Sequence, residues 1–405
     1  MNACGLIVEY NPFHNGHVYH IQEAKKASNA DCIIAVMSGN FLQRGEPAII
    51  DKFHRAKAAL ESGIDLVLEL PFPYAVESSD LFAKGSVQTL HQAGAASICF
   101  GSESGDISHF SASYEILKVK ETEFNKILQH GLEQGFSFPE ASRKSYEKIG
   151  LSERSFDLSK PNNILGFSYV KEILSNQLPI RPLTITRTRS GYHQQTISGS
   201  IASATSIRNE LFSNGTITKI ARETMPDETI KQLEDYLIHA GTWHTWENYF
   251  QLVHYRVMTM SERELSEIHG VDEGLEYRIK NTARYAVSFH DWIESIKTKR
   301  YTWTRLQRIF VHILTNTKKA DIKKIKSALT VPYIRLLGMT KTGQGYLNNI
   351  KKNMDVPIVS RLYRDGLSIL QMEERATNAY YSVLPPGKRQ EFFNQELQAP
   401  IMTDR

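Results

Sequence analysis

The feature that most restricts the fold is a set of four short apolar runs in the first hundred residues, with helical spacing between them. Residues 3–10 (ACGLIVEY), 32–40 (CIIAVMSGN), 65–71 (DLVLELP) and 96–103 (ASICFGSE) are rich in Val, Ile and Leu and have the length of strands. Residues 18–28 read as one intervening helix. Asp51 is a good N-cap and Gly63 a good stop for a second, and Asp80 can cap a third that runs to Gly94. Strands that are apolar along their whole length and alternate with helices predict an α/β fold, a Rossmann-like parallel sheet covered on both faces.

In such sheets ligands bind beyond the carboxyl ends of the strands. The unusual residues lie there: NPFHNGH after the first run, SGNFLQRGEP after the second and GSES after the fourth. Residues 104–160 are polar and helical, like an insertion. Residues 162–175 read as a helix opening on two asparagines, 183–189 alternate as a strand, and 203–211 open another helix with small hydroxyl residues. From about 221 the strand-like runs are expected to end. Long amphipathic helical patterns take over, carrying Trp243, Trp246, Trp292 and Trp303. The expected division is an α/β unit at 1–220 and a mainly α-helical unit at 221–405.

Charge supports that division. The net charge of +4 splits into −1 over residues 1–220 and +5 over 221–405. With 41% hydrophobic and 23% charged residues, disordered, collagen-like and disulfide-scaffold classes are excluded. Cys4, Cys32 and Cys99 are odd in number and sit in apolar runs, so they read as buried core residues. No leader pattern and no apolar stretch long enough for a bilayer is present, so a cytoplasmic protein is expected.

The sharpest motif is HNGH, His14 to His17, between the first strand and a helix. Gly16 permits close backbone approach to a ligand, and the helix offers N–H groups and a positive dipole end to an anion. Two imidazoles three residues apart can share one side of the first turn and donate to phosphate oxygens. His20 adds a third. The spacing is unlike HExxH, and no thiol or carboxylate ligand set is near, so no metal site is expected there. A second phosphate-type string, SATSIR (203–208), opens a later helix. There Arg208 can neutralise phosphates, and hydroxyls can bind their oxygens.

Strand–HxGH–helix followed by SATSIR resembles the nucleotidylyltransferase superfamily, with Thr205, Ser206 and Arg208 in matching places. The strings GLIVEYNPFHNGH, SGNFLQRGEPAIIDKFHRAKAAL, FGSE, KPNNILG, SIASATSIR, DEGLEYRIK and KRYTWTRLQRI together resemble the bacterial tRNA(Met) cytidine acetate ligase family. The resemblance implies a ligase that makes acetyl-adenylate from ATP and acetate. It then acetylates N4 of the wobble cytidine of elongator tRNA(Met). It implies an ATP loop of Ile7, Val8, Glu9, Tyr10, Asn11, Pro12, Phe13, His14, Asn15, Gly16, His17, Val18, Tyr19 and His20. Gly101, Asn162, Arg187, Thr205, Ser206 and Arg208 are implied nucleotide contacts. His14, His17 and Arg208 would be catalytic, and Gln43 and Arg44 would hold acetate or the incoming cytidine. Mg²⁺ is expected with the triphosphate, held by phosphates and water.

Residues 295–326 hold ten basic side chains against Asp321 alone, with Tyr301 and Trp303 among them. Basic groups neutralise phosphates and aromatic rings stack on unpaired bases, so Lys297, Lys299, Arg300, Arg305 and Arg308, with Arg278 and Lys280, are candidate tRNA contacts. Two other readings remain open at this level. One is a small-molecule nucleotidylyltransferase, which leaves the basic half idle. The other is an RNA-binding protein with a degenerate nucleotide pocket.

Overall fold

The computed structural model describes residues 1–153, 156–158, 160–186, 197, 202–362 and 369–404. Its strands are β1 (Ala3–Val8), β2 (Cys32–Ser38), β3 (Leu66–Leu70), β4 (Ser97–Ser102), β5 (Ser152–Glu153), β6 (Phe156–Asp157), β7 (Arg181–Thr186), β8 (Ile334–Thr340), β9 (Ile358–Val359) and β10 (Ile401–Thr403). One sheet runs in the order β10-β8-β3-β2-β1-β4-β7, with β9 beside β8; β5 and β6 pair separately. The block β3-β2-β1-β4-β7 is parallel throughout. All residues of β2 and β3 are buried, which explains an apolar sequence broken only by Ser38 and Glu69. The chain steps outward from β1 to β2 and β3, then returns to β4 on the other side. That reversal opens a crevice at the carboxyl ends of β1 and β4.

Among the described residues three strands come from beyond residue 221, which corrects the expectation that strands end there. β8 lies antiparallel to β3, pairing Glu69 with Arg335, and β10 is parallel to β8. A single charged residue, Arg335, interrupts the apolar start of β8 and concealed it. Arg335 is only 1% exposed because Glu396 lies 2.8 Å away and Glu69 4.0 Å away. β9 and β10 have two and three residues, too few for periodicity to reveal. The helix expected from Asp80 spans Ser79–Gln92. Ser78 takes the cap position, and Asp80 lies in the first turn. Asp51 does cap Lys52–Glu61, accepting from the His54 N–H at 2.9 Å. The three cysteines are buried and free.

The second half packs directly on the first, and one apolar cluster contains both Val36 and Phe310. Gly45 has φ of +77°, and a Cβ there would lie 2.3 Å from the Arg308 backbone nitrogen. Only glycine lets this loop meet the helix Trp303–Leu314 so closely. The Trp246 indole donates to the Gly45 carbonyl at 2.8 Å, and the Tyr380 hydroxyl to that of Ala48 at 2.8 Å.

His244 lies in this seam, 1% exposed, 2.7 Å from the Tyr236 hydroxyl and 2.5 Å from that of Tyr249. Burial pushes its pKa down to about 3. Below about pH 6.5 the unfolded chain binds a proton that the folded chain refuses. Stability should therefore fall between about pH 6.5 and pH 3, by up to ~1.4 kcal/mol per pH unit from this group. Urea denaturation across that range should show a shallower slope for His244→Gln; identical slopes would refute the assignment.

Candidate active site

The crevice widens into a cleft of about 1230 Å³ between the sheet's carboxyl edge and the second half. HNGH forms one wall. His14 is the N-cap of the helix Asn15–Ser28, and its Nδ1 accepts from the Gly16 N–H at 3.0 Å. His17 Nδ1 accepts from the His14 backbone N–H at 3.1 Å. The motif is a capping box built from two imidazoles. Because each Nδ1 accepts, each Nε2 carries the proton and is the donor. The rings stack with centroids 3.8 Å apart, and His14 is 7% exposed.

One expectation changes here. The first-turn N–H groups are already engaged: Asn15 donates to the Thr224 carbonyl at 2.9 Å, Gly16 to the His14 ring, and His17 to the His14 carbonyl at 2.8 Å. The wall therefore faces an anion with its two imidazole rings and the helix dipole. No acidic residue in the first turn cancels that dipole.

Of the expected ATP loop, Ile7, Val8, Glu9, Tyr10, Asn11, His14, Gly16, His17, Tyr19 and His20 line the cleft. Phe13 is 1% exposed and belongs to the apolar cluster behind it, against which Val18 packs; Pro12 and Asn15 are also outside the lining. The Glu9 carboxyl accepts from the Gln43 backbone N–H at 2.8 Å, and burial raises its pKa. Gln43 and Arg44 line the cleft; the Gln43 amide donates to the Glu77 carbonyl at 2.7 Å. Gly101 and Asn162 line the opposite side, Asn162 donating to Glu103 at 2.7 Å. Arg187 lies outside the described residues.

Arg208 reaches the cleft from the helix Ala204–Asn214. It donates to the Asn11 carbonyl at 2.8 Å and pairs with Glu46 at 3.0 Å. Phosphates would compete with Glu46 for it. Thr205 and Ser203 line the cleft. Ser206, expected to contact nucleotide, is 1% exposed and its hydroxyl donates to the Ser203 carbonyl at 2.8 Å. Its role is to finish the helix cap, and Ser203 takes its place at the surface.

The basic half divides. Arg300, Arg305 and Arg308 line the same cleft as His14 and His17. Arg308 donates to the Gln43 carbonyl at 3.4 Å, and burial lowers its pKa. Arg305 lies 4.8 Å over the Tyr301 ring, and Arg300 pairs with Glu273. Lys297, Lys299, Arg278 and Lys280 lie outside the lining. Lys297 pairs with Glu294 at 3.2 Å, Arg278 donates to the Ser295 carbonyl at 3.2 Å, and Lys280 is half-buried against Met260 and Glu262.

Sequence reasoning missed a third cluster. Glu77, His269 and His312 line the cleft and hold one donor atom each within 4.8 Å of one another. His269 contacts Glu77, whose pKa falls to about 2, burial opposing this and the His269 hydrogen bond driving it. These residues are far apart in the chain and form no motif, so no local signal could find them. The insertion adds Gln129, Glu133 and Phe138 to the rim.

A parallel sheet with a histidine-capped helix at its switch point and an arginine-bearing helix opposite defines a nucleotidyl-transfer site. The family HIGH Nucleotidyl Transferase matches residues 1–396. A tRNA(Met) cytidine acetate ligase of Oceanobacillus iheyensis is 55% identical over 402 residues, covering 99% of this chain and 100% of that protein. One from Bacillus subtilis is 44% identical, covering 100% and 98%. The crystal structure of Thermotoga maritima TmcAL without ligand superposes with a TM-score of 0.91 at 33% identity. The form bound to alpha-thio ATP superposes with 0.88 at 32%, and each comparison covers 100% of both chains. The chain belongs to the tRNA(Met) cytidine acetate ligase family within the HIGH nucleotidyl transferases. No helix among the described residues is long and apolar enough to cross a membrane.

Proposed function

We propose that this chain joins acetate to ATP, releasing pyrophosphate, and passes the acetyl group to N4 of the wobble cytidine of elongator tRNA(Met). The observation that carries this reading is a shared cleft. His14, His17 and Arg208 line it from the sheet side, and Arg300, Arg305 and Arg308 from the basic half. An acetate oxygen attacks the α-phosphorus and the bond to the β-phosphate oxygen breaks. The Nε2–H groups of His14 and His17 stabilise the charge that builds on the α-phosphate. Arg208 leaves Glu46 for the phosphates. The cytidine amine then attacks the acetyl carbon, AMP departs, and a proton is lost from nitrogen. The cleft-lining residues between Ile7 and His20, with Gly101, Asn162 and Thr205, frame the nucleotide, and Arg187 is retained as a contact on the family resemblance.

Gln43 and Arg44 sit where acetate or the target base would enter. Arg300, Arg305 and Arg308 guide the splayed nucleotide, while Arg278, Lys280, Lys297 and Lys299 contribute to the outer tRNA surface. Mg²⁺ would travel with the triphosphate, held mainly by phosphate oxygens and water, because the Glu9 carboxyl is engaged by the Gln43 backbone N–H. We place the reaction in the cytoplasm, where tRNA and ATP meet. The test is incubation of purified protein with ATP, labelled acetate and unfractionated tRNA. Label should appear as N4-acetylcytidine in elongator tRNA(Met) alone. Label in another tRNA or nucleoside would overturn the substrate assignment.

A further inference from the structure

We infer that Glu77, His269 and His312 form a binding site for a divalent transition-metal cation of the zinc class. Glu77 follows the helix Phe72–Ala75, His269 follows Glu262–Ser266, and His312 lies on Trp303–Leu314. The site therefore joins the two halves of the chain across the cleft. Its donors are a carboxylate oxygen and two imidazole nitrogens within 4.8 Å of one another. Tetrahedral zinc, with ligands at ~2.0–2.2 Å, holds them about 3.3–3.5 Å apart, so a small closure suffices.

His312 supplies the independent observation. It is 2% exposed, and its Nε2 donates to the Val76 carbonyl at 3.2 Å. That bond fixes the proton on Nε2 and leaves Nδ1 as the lone-pair atom. Nδ1 is buried and has no hydrogen-bond partner. A ring whose second nitrogen donates to a carbonyl is the usual support of a metal-ligating histidine. Without a cation, His269 Nε2 and Glu77 Oε1 are in direct contact. The cation takes the place of the proton between them, which passes to the other ring nitrogen or to solvent.

The mixed nitrogen and oxygen donors favour zinc-class ions over Mg²⁺ or Ca²⁺. Three protein ligands leave a fourth position, and all three residues face the cleft. Lys326 acts electrostatically on Glu77, and Arg308 on His312. Both oppose a cation, so the affinity is moderate and an anion at the fourth position strengthens it. The site is separate from Mg²⁺ carried by ATP and does not depend on the acetate chemistry.

The test is titration of chelator-stripped full-length protein with Co²⁺, followed by its visible absorption. Saturation at one Co²⁺ per chain is expected, with the intense band of a four-coordinate site, displaced by Zn²⁺ but not by Mg²⁺. Glu77→Gln and His269→Gln should each weaken binding more than about tenfold. His269 is only partly buried, so its variant should fold, which circular dichroism checks. His14→Asn should bind Co²⁺ like the wild type. No saturable binding to the wild type, unchanged affinity in folded His269→Gln, or loss in His14→Asn would each overturn the site.

Discussion

His14→Asn is expected to slow acetate-dependent exchange between pyrophosphate and ATP by about 10²–10³-fold, the range for losing one positioned transition-state donor. Asparagine keeps an N-cap acceptor for the helix Asn15–Ser28 but removes the Nε2–H that His14 offers the cleft. His14→Ala removes both, and its cap loss adds ~1 kcal/mol of destabilisation. Comparing the two separates chemistry from folding. tRNA binding, measured by filter retention, should be nearly unchanged in His14→Asn, because Arg300, Arg305 and Arg308 lie on other elements. Exchange at the wild-type rate would reduce His14 to a structural cap.

The second large effect is on stability. Lys52 Nζ lies 2.7 Å from Glu69 and 2.6 Å from Glu396, and Arg335 lies 2.8 Å from Glu396. All four side chains are 0–3% exposed. Glu373, beside them, is pushed up to about 8, first by burial and then by Glu69. Removing one partner of such a network strands a buried charge, so Glu396→Gln should cost ~3–5 kcal/mol in urea denaturation. The double variant Lys52→Met/Glu396→Gln should cost less than the two single losses together. The network ties β3, β8 and the C-terminal segment to one another. A loss below ~1 kcal/mol for Glu396→Gln would show that this tie is dispensable.

The same network marks the limit of what the sequence reveals. Strands β1 to β4 were legible because they are buried on both faces and carry no charge except Glu69. β8 was not, because Arg335 is tolerated only by Glu69 and Glu396, both distant in the chain. HNGH was legible as a phosphate wall because strand, glycine and helix are contiguous. The tautomers of His14 and His17 were not, since they depend on which backbone N–H each ring accepts. Arg208 was legible from SATSIR, but its pairing with Glu46 joins a helix to a loop that only the fold brings beside it. The basic run at 295–326 announced a charged surface. Arg305 and Arg308 are carried to the cleft by the helix Trp303–Leu314, which packs on Gly45.

Activation of acetate on ATP in this cleft is read out by pyrophosphate exchange. Labelled pyrophosphate should enter ATP only when acetate is present, and tRNA should not be required. Exchange without acetate, or exchange that demands a different acid, would show that acetate is not the acid this cleft activates.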